Sequence, residues 1–98
     1  MILFKTKTTT QQETLIPGGA GIGQIKIFTI KILGETNTEN TITISNNNDV
    51  IDKFILTSKG QIEGMKGETR PIYAINGNFN ISCTSTAQIS IFLDYEVI

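Results

Sequence analysis

Residues Ala87–Ile98 read AQISIFLDYEVI, and apolar and polar side chains alternate along them. A period of two that holds over about ten residues is typical of a β-strand with one buried face. The apolar face of this strand comprises Ile89, Ile91, Leu93, Tyr95 and Val97. Phe92 is the exception on the polar face, and we interpret it as a residue that covers a neighbouring subunit or loop.

The amino-acid composition favours β-structure along all 98 residues. Eighteen isoleucines and fourteen threonines stand against five leucines and three alanines. Branching at Cβ restricts χ1 in a helix and suits the pleated surface of a sheet, and the eight asparagines favour turns. A chain of this length forms one domain with a single thin core. The composition therefore predicts one all-β domain.

Two strands are predicted upstream from their alternation. Along QIKIFTIKI the alternation changes phase at Ile27–Phe28, which predicts either a β-bulge there or a strand buried on both faces. The segment TITIS follows a polar turn and places Ile42 and Ile44 inward.

Asparagines mark two turns. Asn46–Asp49 is the first, and the segment VIDKFILTS that follows it reads as a strand over Phe54–Thr57, with a capped helical turn at its start as the alternative. Asn76-Gly77 is the second, and it supplies the two positive-φ residues of a type I′ turn. It predicts a hairpin between PIYAI and NFNISCT, the second strand of which turns Phe79, Ile81 and Cys83 inward.

These segments give seven or eight short strands at a spacing of about ten residues, with turns between them. Such spacing favours an antiparallel β-sandwich, jelly-roll-like in arrangement, over a βαβ fold. We assign residues 15–98 to this sandwich. Residues 1–14 are rich in threonine and carry Ile2, Leu3 and Phe4 near their start, so they form either an arm or an additional edge strand.

Four glycines, Gly18, Gly19, Gly21 and Gly23, raise the question of a phosphate-binding loop. Such a loop requires a helix directly after the glycines, whereas the residues that follow are β-branched and alternating. We therefore predict a turn that leads into a strand. The eight basic and nine acidic residues are scattered singly, which leaves no basic cluster for nucleic acid.

The side chains that usually carry catalysis are few. The chain has no histidine, which removes the commonest general base and metal ligand. Asp94 and Glu96 share one face of a strand, roughly 6.5–7 Å apart, and we interpret them as a solvated face rather than a catalytic pair. The oxygens of 47–49 and Asp52 lack the closing glutamate of a calcium loop. We expect no catalytic residue, cofactor or metal.

The solitary Cys83 excludes an intramolecular disulfide, and its place among strand residues indicates a small buried side chain. Apolar runs reach only three or four residues, far below the ~20 that span a bilayer. MILFKTK is too short for a secretory segment. We expect a soluble protein, made in the cytosol, that has no membrane partner.

The few candidates for ligand or partner contacts are aromatic or basic. There is no tryptophan to stack on a sugar, and of the two tyrosines Tyr95 faces the core or an interface, which leaves Tyr73 as the candidate stacking residue. Arg70, the only arginine, is either an interface anchor or an exposed side chain.

From Thr14 to Ile98 the chain resembles the small β-sandwich virion proteins of tailed bacteriophages, which decorate capsids or form head and tail fibres. The resemblance lies in Ile16-Pro17 with a glycine-rich turn ending at Gly23, in the strands QIKIFTIKI and NTITIS, in Pro71 before a strand, and in GNFNISCTST and QISIFLDYEV.

This resemblance implies a non-enzymatic structural subunit, made in the host bacterial cytoplasm and located in the virion. It implies a homo-oligomer, most often a trimer, attached to the major capsid protein or another virion protein. Candidate interface residues are Ile2, Leu3, Phe4, Arg70 and Phe92. The alternative is a carbohydrate-binding, receptor-recognition module of a phage fibre that uses Tyr73, and a small enzyme built on Asp94 and Glu96 is a third hypothesis.

Overall fold

The computed structural model describes residues 1–18, 24–67 and 70–98, and every helix or strand in these ranges is a β-strand. The strands are β1 (Ile2–Lys7), β2 (Glu13–Ile16), β3 (Ile25–Gly34), β4 (Asn40–Asn46), β5 (Asp49–Leu56), β6 (Ile62–Lys66), β7 (Tyr73–Ile75), β8 (Phe79–Cys83) and β9 (Ile89–Val97). The predicted all-β class is confirmed. The strand count exceeds the expected seven or eight because residues 2–7 form an edge strand and β2 crosses the expected boundary at residue 14.

The strands form two antiparallel sheets. The first sheet has the order β1-β9-β3-β6, with β7 also beside β3, and the second has the order β2-β8-β4-β5. The pairs are nested along the chain, β1 with β9, β2 with β8, β3 with β6 and β4 with β5, so the chain is folded like one long hairpin rolled into a sandwich. This is a jelly-roll arrangement, as the sequence predicted, with β7 as an addition.

The core lies between the two sheets and is built mainly from isoleucine. Alternation along each strand sends one set of side chains inward, and β-branched side chains fill the space between two pleated surfaces closely. The most deeply buried members of this core include Ile25, Ile27, Ile30, Ile32, Ile42, Ile44, Phe79, Ile81, Ile91 and Leu93. Ile42 and Ile44 therefore face inward as predicted.

A β-bulge at Phe28 sets the two halves of β3 in different phases. Ile27 pairs with Tyr95 and Thr29 pairs with Asp94, so Phe28 is an extra residue opposite β9. Ile25 and Ile27 face the core before the bulge, and the inward positions are even-numbered after it. The bulge predicted from the phase change is confirmed, and the alternative of a strand buried on both faces is wrong.

The hairpin predicted at Asn76-Gly77 is wrong. The segment before it, β7, pairs with β3 in the first sheet, whereas β8 after it lies in the second sheet. Gly77 donates its backbone N–H to Asn46 Oδ1 at 2.9 Å, and Asn78 N donates to Asn47 Oδ1 at 2.9 Å. The connection crosses between the sheets because asparagine side chains of β4 and its turn bind its backbone, a long-range interaction that outweighs the local turn preference.

The turn predicted at 46–49 is confirmed as the two-residue connection Asn47–Asn48 between β4 and β5. Asn47 has a φ of 52°, a conformation that asparagine tolerates better than most residues. β5 begins directly at Asp49, so the helical-turn alternative for VIDKFILTS is wrong and the strand interpretation is confirmed. The glycine run of the sequence falls largely on residues 19–23, outside the described residues, and β3 follows it as predicted.

Polar contacts join the two sheets at opposite sides of the sandwich. On the β1–β2 side, Lys7 is 1% exposed and its Nζ lies 3.4 Å from Glu13 Oε1, while it also donates to Thr9 Oγ1 at 3.1 Å. Lys5 Nζ lies 3.0 Å from Glu13 Oε2. The Lys5 ammonium holds the pKa of Glu13 below its ordinary value, against the opposing effect of desolvation. On the β5 side, Tyr73 makes the corresponding inter-sheet contact.

Candidate assembly surface

The outer face of the first sheet carries apolar side chains at positions where water is expected. Residues directly opposite each other in neighbouring strands project from the same face. The register therefore places two adjacent rows on this face, Phe4–Phe92–Lys31 and Ser90–Leu33–Ile62.

These two rows form a groove of about 270 Å³. Its apolar lining, which we call the outer patch, consists of Phe4, Leu33, Ile62 and Phe92. Phe4 is 68% exposed and Ile62 is 62% exposed, whereas Leu33 and Phe92 are half-buried. Contiguous apolar side chains on an outer sheet face are typical of a surface that contacts another molecule.

Polar groups border the outer patch. Lys31 follows Phe92 in the first row and is exposed. Ser90 is buried at the bottom of the groove and donates a hydrogen bond from Oγ to Glu35 Oε1 at 3.0 Å. An apolar centre with a polar border is the usual composition of a protein contact surface.

Sequence reasoning found half of the outer patch. Phe4 and Phe92 were predicted as interface residues, and β1–β9 pairing places them directly opposite each other. Leu33 and Ile62 were missed. The bulge at Phe28 makes even-numbered residues of β3 face inward, so the outward direction of Leu33 was readable from the same phase change that predicted the bulge.

The other predicted interface residues lie apart from the outer patch or face inward. Ile2 is 61% exposed and lies on the same face of β1 as Phe4. Leu3 points the opposite way, is half-buried and packs against the core, so its prediction as an interface residue is corrected by strand alternation. Arg70 is exposed in the connection between β6 and β7 and does not line the groove.

Tyr73, the predicted stacking residue, lies on the inner side of the first sheet. Tyr73 and Tyr95 both pair with the buried Ile27, one from each side, so the three side chains share the inward face. Tyr73 donates a hydrogen bond from its hydroxyl to Asp52 Oδ2 on the second sheet at 3.0 Å. Burial, helped by this carboxylate, raises the pKa of Tyr73 to about 12. Its half-buried ring packs against the core rather than offering a sugar platform.

The residues weighed for chemistry are engaged in structure. Asp94 lies 3.8 Å from the amino-terminal ammonium group, and Glu96 is exposed. The two oxygens of Asp52 accept bonds from Lys53 N and from Tyr73. Within residues 1–18, 24–67 and 70–98, no three acidic, cysteine or histidine side chains are grouped to hold a metal ion.

Cys83 is a member of the core cluster and is buried, as predicted. Burial raises the pKa of its thiol. A buried thiol of raised pKa is a poor nucleophile, which fits a packing role.

No protein-family model and no curated protein sequence matches this chain. Among the described residues, none form a helix with the length and apolar character that crossing a membrane would need.

Proposed function

We propose that this chain is a non-catalytic structural subunit of a tailed-phage virion, a decoration or head-fibre protein that attaches through its outer patch. The observation that carries the proposal is the contiguous apolar surface formed by Phe4, Phe92, Leu33 and Ile62 on a regular sheet. Strands hold these side chains in fixed positions, so little conformational freedom is lost when a partner covers them. The jelly-roll arrangement is compatible with this role, since it occurs in viral capsid proteins, and it occurs in lectins as well.

The proposed partners follow from this surface and from the resemblance to small virion proteins. The outer patch suits the major capsid protein or another virion protein that presents an apolar surface, with a carboxylate placed to meet Lys31. Copies of the chain itself are the second partner, and the resemblance favours a trimer. The proposed location is the virion, after synthesis in the bacterial cytoplasm.

Purified particles of the phage that encodes the chain test the proposal. Quantitative mass spectrometry is expected to find the chain in many copies per particle. The double variant Phe92→Ser, Ile62→Ser is expected to lower its occupancy about tenfold or more, because burial of each apolar side chain contributes roughly 1.5–3 kcal/mol. Absence of the wild-type chain from purified particles would show that the proposal is wrong.

A control variant tests whether the loss of occupancy is specific to the outer patch or follows from any more polar surface. Ile55 is 55% exposed on β5 of the second sheet, so Ile55→Ser removes a similar apolar side chain elsewhere on the molecule. Particles carrying this variant are expected to keep wild-type occupancy. Equal losses for the double variant and the control would contradict the assignment of the outer patch.

A carbohydrate-binding role receives less support from the geometry. Tyr73 faces the core and its hydroxyl is bonded to Asp52. Phe4 is the exposed aromatic ring of the outer patch, and the described residues that line the groove with it include no tyrosine, asparagine or glutamine to bind sugar hydroxyls.

A further inference from the structure

The edge strand β1 has a row of backbone groups that no neighbour uses. Met1 and Tyr95 exchange backbone hydrogen bonds, with Tyr95 N donating to Met1 O at 2.8 Å and Met1 N donating back. Hydrogen-bonded and non-hydrogen-bonded pairs alternate along an antiparallel ladder. The N–H and C=O groups of Ile2, Phe4 and Thr6 therefore point away from β9, toward the open edge.

Outside the strand ladders, none of the hydrogen bonds among the described residues reaches the backbone of Ile2, Phe4 or Thr6. Natural sheets usually protect such an edge with charges, proline, bulges or a short strand. β1 has six residues in unbroken register, and the side chains on its outer face are apolar or a threonine hydroxyl.

The other three sheet edges carry protective features. β2 is only four residues long and its register shifts between Thr14 and Ile16. β5 has a register shift opposite Ile44 and Ser45 and an exposed Lys53. β6 contains Gly64, with a φ of 147°, between two charged residues, Glu63 and Lys66.

Lys5 and Lys7 are the charges on β1, and both are directed at the second sheet. Inward-pointing lysines can block edge pairing, but these two are held by Glu13, with Lys7 fully covered. Glu13 therefore offsets one of the two charges within the subunit, and both ammonium groups are turned toward this carboxylate rather than toward an incoming strand.

From these observations we infer that β1 pairs antiparallel with β1 of a second copy about a two-fold axis at Phe4. This register matches Ile2 with Thr6 of the second copy and Phe4 with Phe4 of the second copy, which uses all the free backbone groups of both strands. Lys5 then faces Leu3 of the second copy, and Lys7 faces Met1 of the second copy, whose ammonium group is bound to Tyr95 O and lies 3.8 Å from Asp94 within its own subunit. This two-fold contact is distinct from the trimer contact that the resemblance implies, so the inference goes beyond the proposed function and rests on it only for its biological setting.

The pairing also gives the outer patch a larger extent. Phe92 already neighbours Phe4 within one subunit, so the two-fold contact makes a row of four phenylalanines across both copies. Adjacent aromatic side chains on one sheet face attract each other. The two first sheets become one continuous sheet, and an isologous contact of this kind gives a dimer or a higher assembly built from dimers.

Cysteine cross-linking tests the register. An equimolar mixture of Ile2→Cys and Thr6→Cys, with one variant carrying a mass tag, is oxidised and separated on a non-reducing gel. The mixed dimer is expected to predominate over either same-variant dimer at least about tenfold, because residues opposed in a hydrogen-bonded pair lie about 5.5 Å apart at Cα. Two copies of residue 6 would lie roughly 14 Å apart, beyond the reach of a disulfide. Wild-type protein, whose only thiol is buried, is expected to give no disulfide-linked dimer on the gel.

A second pair of variants distinguishes the contribution of the backbone hydrogen bonds of β1 from that of the Phe4 ring. Phe4→Pro removes an outward N–H and leaves the ladder with β9 intact, whereas Phe4→Ala removes only the ring. Sedimentation is expected to find Phe4→Pro monomeric and Phe4→Ala still dimeric with weaker affinity, with circular dichroism confirming that both remain folded. Dimers of Phe4→Pro as stable as those of Phe4→Ala would overturn the pairing.

The outcomes for the two proposals are distinct. Cross-links in a statistical ratio, from a chain that is nevertheless present in purified particles, would show that the β1 pairing is wrong and leave the proposed function standing. The predicted cross-links, from a chain absent from particles, would show that the virion assignment is wrong and leave the pairing standing.

Discussion

Gly77 occupies a position where a side chain has no room. A Cβ atom there would collide with Asn46 Oδ1 and with the side chain of Asn47. We expect Gly77→Ala to lower the free energy of unfolding by about 1–3 kcal/mol through overpacking, measured by urea denaturation. Asn76→Ala, at the exposed neighbour, is the matched control and is expected to change it by less than about 0.5 kcal/mol. A type I′ turn would make both substitutions costly, so comparable losses would contradict the observed connection.

Glu13 makes the free energy of unfolding depend on pH in the acid range. Its pKa is lowered in the folded state, mainly by Lys5, so its contribution is present above the ordinary value of 4.5 and is lost as the pH falls through the folded value. The difference in melting temperature between wild type and Glu13→Gln is expected to be greater near neutral pH than below about pH 4.5. Glu39→Gln, at an exposed loop carboxylate, serves as the control and is expected to follow wild type at every pH. A difference that does not change with pH would contradict the ion-pair explanation.

The bulge in β3 determines which residues after it face the core and which face outward. Ile32 is fully buried and the neighbouring Leu33 lies on the outer patch. Ile32→Ala is expected to cost about 2–5 kcal/mol of unfolding free energy, and Leu33→Ala less than about 1 kcal/mol, in parallel denaturant titrations. Similar costs for the two would mean that β3 is buried on both faces after all.

The strands were predictable because each one carries its own alternation, and the phase change at Ile27–Phe28 was enough to locate the bulge. The partner of a strand was not predictable from local sequence. β7 ends at an Asn-Gly pair that favours a hairpin, yet Asn46 and Asn47, about thirty positions earlier, bind the connection and direct it to the other sheet. The local sequence favours a hairpin turn, but the hydrogen bonds from Asn46 and Asn47 hold the connection between the two sheets instead.

The hydrogen bond between Tyr73 and Asp52 acts at the scale of the whole molecule, because it joins the two sheets. Tyr73→Phe is expected to lower the unfolding free energy by about 0.5–1.5 kcal/mol at neutral pH. The raised pKa of Tyr73, about 12 against an ordinary value of 10, means that its contribution is complete below pH 10 and is lost as the pH rises toward 12. Absorbance titration of the Tyr95→Phe variant isolates this residue, and a midpoint near 10 would contradict the buried hydrogen bond.

The outer patch is also a property of the whole molecule. Phe4 and Phe92 could each be singled out from the sequence as apolar residues among polar neighbours. Their adjacency could not, because it depends on the pairing of the first strand with the last. Ile62 stands alone among glycines and charged residues, and only the position of β6 beside β3 connects it to the others.

The central position of β9 in the first sheet has a consequence for how the protein is made. β9 lies between β1 and β3, so neither of these strands gains that neighbour until the ribosome has translated every strand before it. Such distant contacts slow folding and leave nascent strands uncovered. The sheet that carries the outer patch therefore closes only after synthesis of the ninth strand.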